Sequence, residues 1–500
     1  MIKHKLFLIF SPRFHGWALK LIEQLGAQVS YAGLVTGARS NYRQIASHPL
    51  LGAARLRHLD ELEREWLATP VSDDVKNQVR AIWSDGDLKR IIISDRNIGG
   101  SYVTGAILPK TTLRKLCRDS TYVERYVFNM CKWIADFFEG EAIDRVFSYA
   151  IAGAPAMAVF LYCRNRKIKF ANLLPARIDH WYLMSSGPDY LEQETGDLHS
   201  LFLSKVDDGG PSTEYAKAYI NRFRLAPVPP SYATKVAKQV RFESALRGIL
   251  TGFVSNSYPI AIGRWRPISI RHPSAWTKLV YDVSVGFRRW RQLRIQSSYD
   301  LSAIHQRPYV YFPLHVDPEA STMVMAPMFT DQVAVVEALS KAIPIDMALV
   351  VKEHMPMLGK RPASFYARLR QLPNVVLLPP NVNGMAVLSG ARLVAVLTGT
   401  AAWEAALLGK PALVMGTVPF SCVGGIVKCT DFTLLPEAIS RAMQMKPAAD
   451  ADLIAYLSGL HSTCVDIDIW TTTPDSIGKK KSTQIAKNLA QRLVDKLDLA

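Results

Sequence analysis

The sequence contains few cysteines and no long apolar run. Its six cysteines are scattered through 500 residues, with no Cys-x-x-Cys pair and no zinc-like spacing. We therefore expect reduced thiols in a cytosolic protein, and neither a disulfide framework nor a metal site. No stretch approaches the roughly eighteen consecutive apolar residues that indicate a membrane-spanning helix. The first apolar run, LFLIF, is too short for a signal peptide and is typical of a buried strand.

The composition is that of a globular protein with an excess of positive charge. Apolar residues make up 49% of the chain, and its length predicts two or three domains. Lys and Arg outnumber Asp and Glu, which gives a formal net charge of +17. Such an excess favours nucleic acid, an acidic membrane face or an anionic substrate as a partner.

Arginine and tryptophan are interleaved in one tract, residues 263–294. This composition suits contact with the headgroups of an anionic bilayer, and we then expect Arg288, Arg289 and Arg291 to contribute to lipid binding. The same composition suits a surface for single-stranded nucleic acid. A solvated helix whose tryptophans pack inward would explain the tract equally well.

Alternating strand-like and helix-like segments predict a parallel, doubly wound sheet in the first half of the chain. Strands are predicted at KLFLIFS, RIIISD, RVFSYA and IKFANLL, and a long helix at residues 112–138. Ligand-binding groups are expected at the carboxyl ends of such strands. The candidate residues there are Ser11 to His15, Asp95, Arg96, Gly153, Arg177 and Asp179.

A second α/β array begins at residue 308. Strands are predicted at PYVYFPLH, MALVVKEH, NVVLLPP, RLVAVLTGT and residues 411–415, with helices at 330–341, 363–372, 384–389 and 401–408. The predicted fold class is α/β of the GT-B type, with two Rossmann-like, doubly wound parallel-sheet domains and a cleft between them. Other two-lobed α/β proteins share this pattern. The predicted boundaries are an N-terminal domain at 1–235, a basic Trp-rich linker or helical region at 236–305, a C-terminal domain at 306–440, and helices at 441–500 that close back on the N-terminal domain.

The first chemical signal of the second array is a histidine followed by two carboxylates. His315, Asp317 and Glu319 come directly after the first predicted strand. This set is typical of acid–base or nucleophilic chemistry. An exposed polar turn started by Asp317 and Pro318 is the alternative.

The second signal follows the next strand. Lys352, Glu353 and His354 lie at its end, and Lys and His offer donors to a diphosphate or a carboxylate. Lys360 and Arg361 add two further positive charges nearby. A lone histidine after a strand is more often structural.

The third signal is LTGTAAWEAALLGKPALVMG. Thr398, Gly399 and Thr400 precede a predicted helix and present N–H and O–H donors that suit a phosphate. Glu404 lies one turn further on the face of Thr400, where an acid accepts from ribose hydroxyls. Alternatively, Thr398 or Thr400 only caps the helix, and Glu404 only favours its dipole. Together the three signals predict a nucleotide pocket.

These segments also resemble a known family. YFPLHVDPEAS, VVKEHMPMLGKRPASFY, LPNVVLLPP and LTGTAAWEAALLGKPALVMG, in this order, resemble the bacterial capsule polysaccharide biosynthesis protein family. That family includes GT-B glycosyltransferases related to the retaining β-Kdo transferases of capsule and lipopolysaccharide assembly. The resemblance is strong over residues 308–416 and weaker at ISDRNIGGSYVTG and LLPARIDHWYL, and the linker shows none.

The resemblance implies a cytoplasmic glycosyltransferase of surface-polysaccharide assembly, peripheral to the inner membrane. It implies a nucleotide-sugar donor in the C-terminal domain, a glycan acceptor in the N-terminal domain and no bound metal. From the basic Trp-rich tract we expect an anionic membrane surface or a lipid-linked acceptor as a partner, and we expect no other cofactor and no nucleic acid. By the same resemblance, Glu319 faces the reacting sugar carbon, with Asp317 as its substitute and His315 close by. The resemblance also assigns phosphate binding to His354, Thr398, Gly399 and Thr400, and ribose binding to Glu404. From their places at strand ends we expect Lys352 to bind the phosphate as well, and Asp95, Arg96, Arg177 and Asp179 to bind the acceptor.

Two departures from the family pattern leave the donor open. Met355 separates His354 from Pro356, whereas the Kdo transferases have proline directly after this histidine. His315 and Val316 stand where they have Gln-Val. CMP-Kdo is therefore one candidate beside UDP-, GDP- and other CMP-sugars. The alternative functions are a sugar-nucleotide 2-epimerase, a glycerol-phosphate transferase, or a non-catalytic protein that binds polysaccharide or nucleic acid.

Overall fold

The computed structural model describes residues 4–102, 105–206, 209–227, 267, 269–295 and 307–499. Most of the predicted linker at 236–305 lies outside the described residues. The same holds for residues 263–266 and 268, the first part of the basic tract.

The strands of the described ranges form two sheets, one in each half of the chain. They are β1 (His4–Phe10), β2 (Val29–Val35), β3 (Leu56–His58), β4 (Arg145–Ser148), β5 (Lys169–Pro175), β6 (Trp181–Ser185), β7 (Tyr309–Pro313), β8 (Ala348–Lys352), β9 (Val375–Leu378), β10 (Leu393–Val396), β11 (Ala412–Val414), β12 (Ile426–Lys428) and β13 (Val465–Asp466).

The helices of the described ranges cover both sheets. They are α1 (His15–Leu25), α2 (Arg39–Ala46), α3 (Leu59–Ala68), α4 (Asp73–Arg80), α5 (Asp85–Ile93), α6 (Thr112–Leu116), α7 (Ser120–Glu141), α8 (Ala154–Arg166), α9 (Leu191–Leu203), α10 (Pro211–Leu225), α11 (Ala275–Ile295), α12 (Ala320–Met323), α13 (Gln332–Ala342), α14 (Ala363–Arg370), α15 (Gly384–Gly390), α16 (Ala401–Leu407), α17 (Leu435–Gln444), α18 (Asp450–Thr463) and α19 (Lys479–Leu497).

Both sheets have the strand order of a doubly wound fold. The C-terminal sheet runs β12-β11-β10-β7-β8-β9 and is parallel throughout. The inner strands of the N-terminal sheet, β5-β4-β1-β2-β3, are parallel too, and β6 and β13 extend this sheet by antiparallel pairing. In each sheet the order reverses beside the first strand, as in Rossmann folds. The predicted α/β, GT-B fold class is confirmed.

One predicted strand is wrong. RIIISD belongs to helix α5, which begins at a reciprocal cap between Ser84 and Asp87. Leu88 and Ile91 are buried three residues apart on one face of this helix. Helical spacing and the cap therefore outweigh the strand propensity of three consecutive isoleucines.

The long helix predicted at 112–138 is two helices. Asp119 accepts a hydrogen bond from the backbone N–H of Thr121 and so caps α7, which separates it from the short α6. Strands β2, β3 and β6 were not predicted, and β6 begins within ARIDHWYL and extends two residues past it.

The chain returns to the N-terminal sheet at its end. β13 pairs with β6, and α19 packs against α1. Leu489, Leu493 and Leu497 of α19 share one buried cluster with Leu6 and Phe147 of the N-terminal sheet.

The two halves also share a hydrophobic core. The same buried cluster contains Ile178 of the β5–β6 loop, Trp181 of β6 and Ile220 of α10 together with Val396 and Trp403 of the C-terminal half. The relative position of the two sheets is therefore fixed by packed side chains as well as by the covalent connection.

Candidate functional site

The switch point of the C-terminal sheet lies between β7 and β10. His315 follows β7, and the Thr398-Gly399-Thr400 turn follows β10. The backbone N–H of Thr398 donates to Nε2 of His315 over 3.3 Å. A Cβ at Gly399 would lie 3.0 Å from the same nitrogen, so glycine permits this close approach. Ligands of open α/β sheets bind in such a crevice.

His315 and His354 are neutral imidazoles in this crevice. Burial lowers the pKa of His315 to about 3, and the charges of His354, Arg177 and Arg361 lower it further. Burial, followed by Lys352 and Arg361, lowers the pKa of His354 to about 4. Nδ1 of His354 is buried and has no hydrogen-bond partner in the described part of the chain. The crevice thus offers an unused imidazole nitrogen in positive surroundings.

Arg177 brings a positive charge from the other half of the chain. It lies in the loop between β5 and β6, and its guanidinium is near enough to lower the pKa of His315. Within the described ranges Arg177 forms no ion pair. Its φ of 65° and the φ of 43° at Asp179 are left-handed conformations that non-glycine residues adopt at a cost, commonly at functional sites. Asp179 accepts a hydrogen bond from the Tyr215 hydroxyl over 3.3 Å.

Lys352 ends β8 beside His354. Burial lowers the pKa of its ammonium to about 8, and the charge of Glu353 opposes that shift. Nζ donates to the carbonyl oxygen of Glu353 over 3.4 Å. Because this contact is long, an anionic ligand would give Lys352 a better partner.

Glu404 is a buried carboxyl one turn into α16, with 9% of its surface exposed. Burial raises its pKa to about 7, and a hydrogen bond with Thr400 opposes the shift. Burial raises the pKa of the neighbouring Tyr311 phenol, and the negative charge of Glu404 raises it further. Glu404 therefore changes protonation state near neutral pH.

Thr398 is less available than its sequence position indicated. Its N–H binds His315, and its hydroxyl donates to the carbonyl oxygen of Ser321 over 3.0 Å. Both donors predicted for a phosphate already have protein partners. Helix α16 has seven residues, and the N-cap residue Thr400 makes no side-chain capping bond. Thr398 donates two hydrogen bonds within the protein. Gly399 and Thr400 are therefore the residues of this turn whose backbone N–H groups are better placed to bind a ligand.

Asp317 and Glu319 lie two residues apart and have different environments. Asp317 is 3% exposed and contacts Gln332 and Arg361. Burial raises its pKa to about 6, while Arg361 lowers it. Glu319 is exposed at the start of α12 and accepts from the Ser321 hydroxyl over 2.7 Å. Of the two carboxylates, Glu319 is the one that a substrate can reach.

Arg361 does not add positive charge to the surface, and that expectation is wrong. Its side chain is fully buried and binds Asp317 over 3.4 Å and Glu353 over 2.9 Å. The Tyr366 hydroxyl donates to the same Glu353 oxygen over 2.6 Å. Arg361 and the two carboxylates are thus paired with one another, because buried charges are stable only when paired. The sequence offered no signal for this network.

Asp95 is also committed to internal contacts. Arg271 donates to its carboxylate over 2.7 Å, and the N–H groups of Asn97 and Ala154 donate over 2.8 and 3.1 Å. The predicted strand that was to present Asp95 is a helix. Its carboxylate positions the start of α8 and the chain around Arg271, which leaves it little capacity to bind an acceptor.

The structure brings Glu319 and Arg96 together at the boundary between the two halves. A small cavity is lined by both residues and by Asp95, Gly153 and Arg271. Arg177 and Asp179, the other two predicted acceptor-binding residues, lie in the β5–β6 loop, and Arg177 is near His315. The predicted acceptor residues are therefore divided between two places rather than joined in one.

Helix α10 contributes side chains to this region that were not predicted from the sequence. The Tyr215 hydroxyl donates to Asp179. Burial is the main cause that raises the pKa of Tyr219, and the negative charges of Asp179 and, more weakly, Glu404 add to it. Helical spacing of these tyrosines is the available sequence signal, but it does not indicate what they face.

All six cysteines are free thiols. In the ranges listed above, no three His, Cys, Asp or Glu side chains are grouped to hold a metal ion. No helix of the described part of the chain has the length and apolar character needed to cross a bilayer.

No protein-family model and no curated protein matches the chain. Among solved structures, it is similar to the KpsC β-Kdo 2,7 transferase of Thermosulfurimonas dismutans, with 13% identity, 72% of this chain and 89% of that chain covered, and a TM-score of 0.35. It is also similar to the UDP-GlcNAc 2-epimerase of Neisseria meningitidis bound to UDP-GlcNAc, with 11% identity, 92% and 98% covered, and a TM-score of 0.23. Scores this low carry no argument about activity.

Proposed function

We propose that this protein is a glycosyltransferase that moves a sugar from a nucleotide-sugar donor to a glycan or lipid-linked acceptor in surface-polysaccharide assembly. The observation that carries the proposal is the crevice at the C-terminal switch point. There His354 offers an unpartnered ring nitrogen, Lys352 makes only a long contact, and Arg177 has no ion pair in the described ranges, all beside neutral His315. A reachable carboxylate, Glu319, lies at the boundary with the N-terminal half. CMP-Kdo is one candidate donor.

In this mechanism the chain's own donors stabilise the departing nucleotide phosphate. His354 Nδ1 and Lys352 Nζ bind its oxygens, together with the Gly399–Thr400 backbone, and Arg177 adds positive charge from the β5–β6 loop. Glu404 accepts from the ribose hydroxyls. Glu319 faces the anomeric carbon as nucleophile or general base. Its exposure and its place in the cavity distinguish it from Asp317, whose carboxylate is held by Arg361.

The first test is nucleotide binding. The melting temperature of the purified protein is measured with CMP, UDP, GDP and CDP, because a ligand of the folded state raises it by mass action. We expect one nucleotide to raise the melting temperature of the wild type and of His48→Ala, but not that of His354→Ala. His48 lies in the N-terminal half, far along the chain from this crevice. Equal shifts for both variants would remove His354 from the site, and no shift with any nucleotide would contradict the proposal.

The second test is transfer. With the nucleotide class known, Glu319→Gln should lower the transfer rate by about a hundredfold or more, as expected for loss of a nucleophile or base. Glu437→Gln, an exposed carboxyl of α17, is the matched control. Incubation without acceptor separates this reaction from epimerisation, because an epimerase converts the donor alone. Full transfer by Glu319→Gln would refute its role.

We also propose that the protein works at the cytoplasmic face of the inner membrane, bound peripherally through α11. Four apolar residues with 4-3-4 spacing are exposed on one face of this helix: Trp276 (62%), Val280 (50%), Val283 (37%) and Phe287 (58%). Arg291 continues the exposed face and supplies positive charge. Arg288 and Arg289, expected lipid contacts, instead donate to the carbonyl oxygens of Gly359 and Leu358.

Vesicle flotation tests this membrane contact. Binding should rise as phosphatidylglycerol replaces phosphatidylcholine, and Phe287→Ser and Arg291→Gln should each weaken it. Trp470→Ser, which changes an equally exposed tryptophan elsewhere, is the control. Binding that does not depend on anionic lipid, or that both α11 variants retain, would contradict the proposal.

A further inference from the structure

The N-terminal sheet has a switch-point crevice of its own, between β1 and β4. Arg13 lies in the loop that follows β1, and Tyr149 follows β4 directly. Tyr182 lies at the start of antiparallel β6, and Trp470 follows β13, so both belong to the same edge of the sheet. We call Arg13, Tyr149, Tyr182 and Trp470 the aromatic platform. Its position is the one where open α/β sheets bind ligands.

Trp470 is held in solvent by a well-defined turn. Its side chain is 61% exposed, although Ile467 and Ile469 just before it are buried. The Asp468 carboxylate accepts from the N–H groups of Trp470 and Thr471 over 3.2 and 3.1 Å. An indole that is fixed in place and exposed is a flat surface available to a partner.

Two buried phenols form the floor of the platform. The ring of Tyr149 stacks on Phe14, with centroids 5.0 Å apart and an angle of 7° between the planes. Burial raises the pKa of Tyr182, and hydrogen bonds from Tyr149 and Trp470 oppose that shift. Trp470 therefore lies close to the Tyr182 phenol of the floor.

Arg13, which belongs to the platform, and the neighbouring Arg177 supply positive charge here. The Arg13 guanidinium carbon lies 4.0 Å from the centroid of the Trp470 ring. Neither Arg13 nor Arg177 is within ion-pair distance of a carboxylate in the described ranges. Arg177 acts on the pKa of both Tyr182 and His315. Its charge is therefore near both the platform and the C-terminal crevice.

We propose that the aromatic platform binds an acidic glycan, with one face of a sugar ring on Trp470 and its carboxylate at Arg13. The C–H groups of a pyranose face carry partial positive charge that the negative face of an indole attracts. A guanidinium matches a carboxylate with two parallel hydrogen bonds. This inference rests on the proposed function in one respect, namely that the bound glycan is the acceptor, whose reacting end points past Arg177 to the donor.

Calorimetric titration of the full chain without nucleotide tests the platform directly. The probes are tetragalacturonate, which carries carboxylates, and the neutral maltotetraose. We expect tetragalacturonate to bind more tightly than maltotetraose. Trp470→Ala should weaken its binding about tenfold, and Trp470→Phe should retain most of it because a flat ring remains. Arg13→Gln should weaken the binding of tetragalacturonate and leave the binding of maltotetraose unchanged.

Trp276→Ala is the matched control, because Trp276 is exposed to the same extent on α11. Unchanged binding of tetragalacturonate by Trp470→Ala, or no binding by the wild type, would overturn the proposal. Nucleotide binding is measured separately, so the two proposals fail independently. A protein that binds nucleotide but not tetragalacturonate keeps only its transferase assignment, and the reverse result keeps only the platform.

Discussion

At the scale of single residues, burial makes Glu404 a sensor of neutral pH. The pKa of its carboxyl is about 7 in the folded protein and about 4.5 in an ordinary setting. The folded state therefore binds this proton more tightly than the unfolded state, and the group reduces stability as pH rises from about 4.5 to 7. A shift of this size corresponds to at most about 3 kcal/mol.

Glu404→Gln should remove that dependence. We expect the variant to melt above the wild type at pH 8, with the difference vanishing near pH 5, where both side chains are neutral. Melting temperatures between pH 5 and 8 provide the measurement, and Glu437→Gln, at an exposed carboxyl, serves as the control. A difference that stays constant with pH would show that the Glu404 proton is not responsible.

A second residue-scale prediction concerns Arg361, whose side chain pairs with Asp317 and Glu353 at full burial. Arg361→Gln leaves both carboxylates without a cation and should cost about 3–5 kcal/mol. Adding Asp317→Asn should restore part of that loss, because one buried charge disappears with it. Urea denaturation measures both. Simple additivity of the two losses would contradict the pairing.

The same residues show what sequence could and could not predict about the site. Strand ends were predicted correctly for His315, Lys352 and Thr398, because a buried β-strand has a clear apolar pattern and its end is marked by polar residues. Whether the next polar side chain turns inward was not predictable. Asp317 meets Arg361 from 44 positions along the chain, and no local pattern encodes that contact.

At the scale of elements, the sequence predicted strands and helices best where the apolar residues followed a single regular spacing. The predicted strands and helices of the C-terminal half appear where the apolar patterns placed them, whereas the short elements β12 and α12 were not predicted. RIIISD failed because its β-branched run lies about two helical turns after a capping signal at Ser84. β13 has two residues, too few for any periodic pattern, and its pairing with β6 depends on the whole chain being folded.

The return of α19 to the N-terminal sheet gives a prediction for an element. Leu489 is fully buried in the cluster that includes Leu6 and Phe147. Leu489→Ala should cost about 2–5 kcal/mol, since it leaves a cavity in that core. Lys487→Ala, on the exposed face of the same helix, should change stability by less than about 0.5 kcal/mol. Equal effects in urea denaturation would mean that α19 is not packed as described.

At the scale of the whole molecule, residues of each half pack against and hydrogen-bond to the other half. Trp181 is a strand residue of the N-terminal sheet and yet belongs to the hydrophobic cluster of the C-terminal half. Arg224 of α10 donates to the Leu407 carbonyl over 2.9 Å and pairs with Asp450. The N–H of Ile107 donates to the carbonyl oxygen of Lys360 over 2.6 Å. Separate unfolding of either half would expose these shared surfaces.

The chain should therefore melt as one cooperative unit. Calorimetry is expected to show a single transition, and hydrogen exchange should lose protection in β1 and β7 together, because the core that includes Trp181, Ile220 and Val396 serves both sheets. A nucleotide that binds only the C-terminal crevice should then raise the melting temperature of the N-terminal sheet as well. Ile220→Ala should weaken this coupling, whereas Leu489→Ala, within one sheet's core, should not. Two transitions in the wild type would show instead that the halves are stable on their own, and that Arg177 reaches the donor crevice only when they meet.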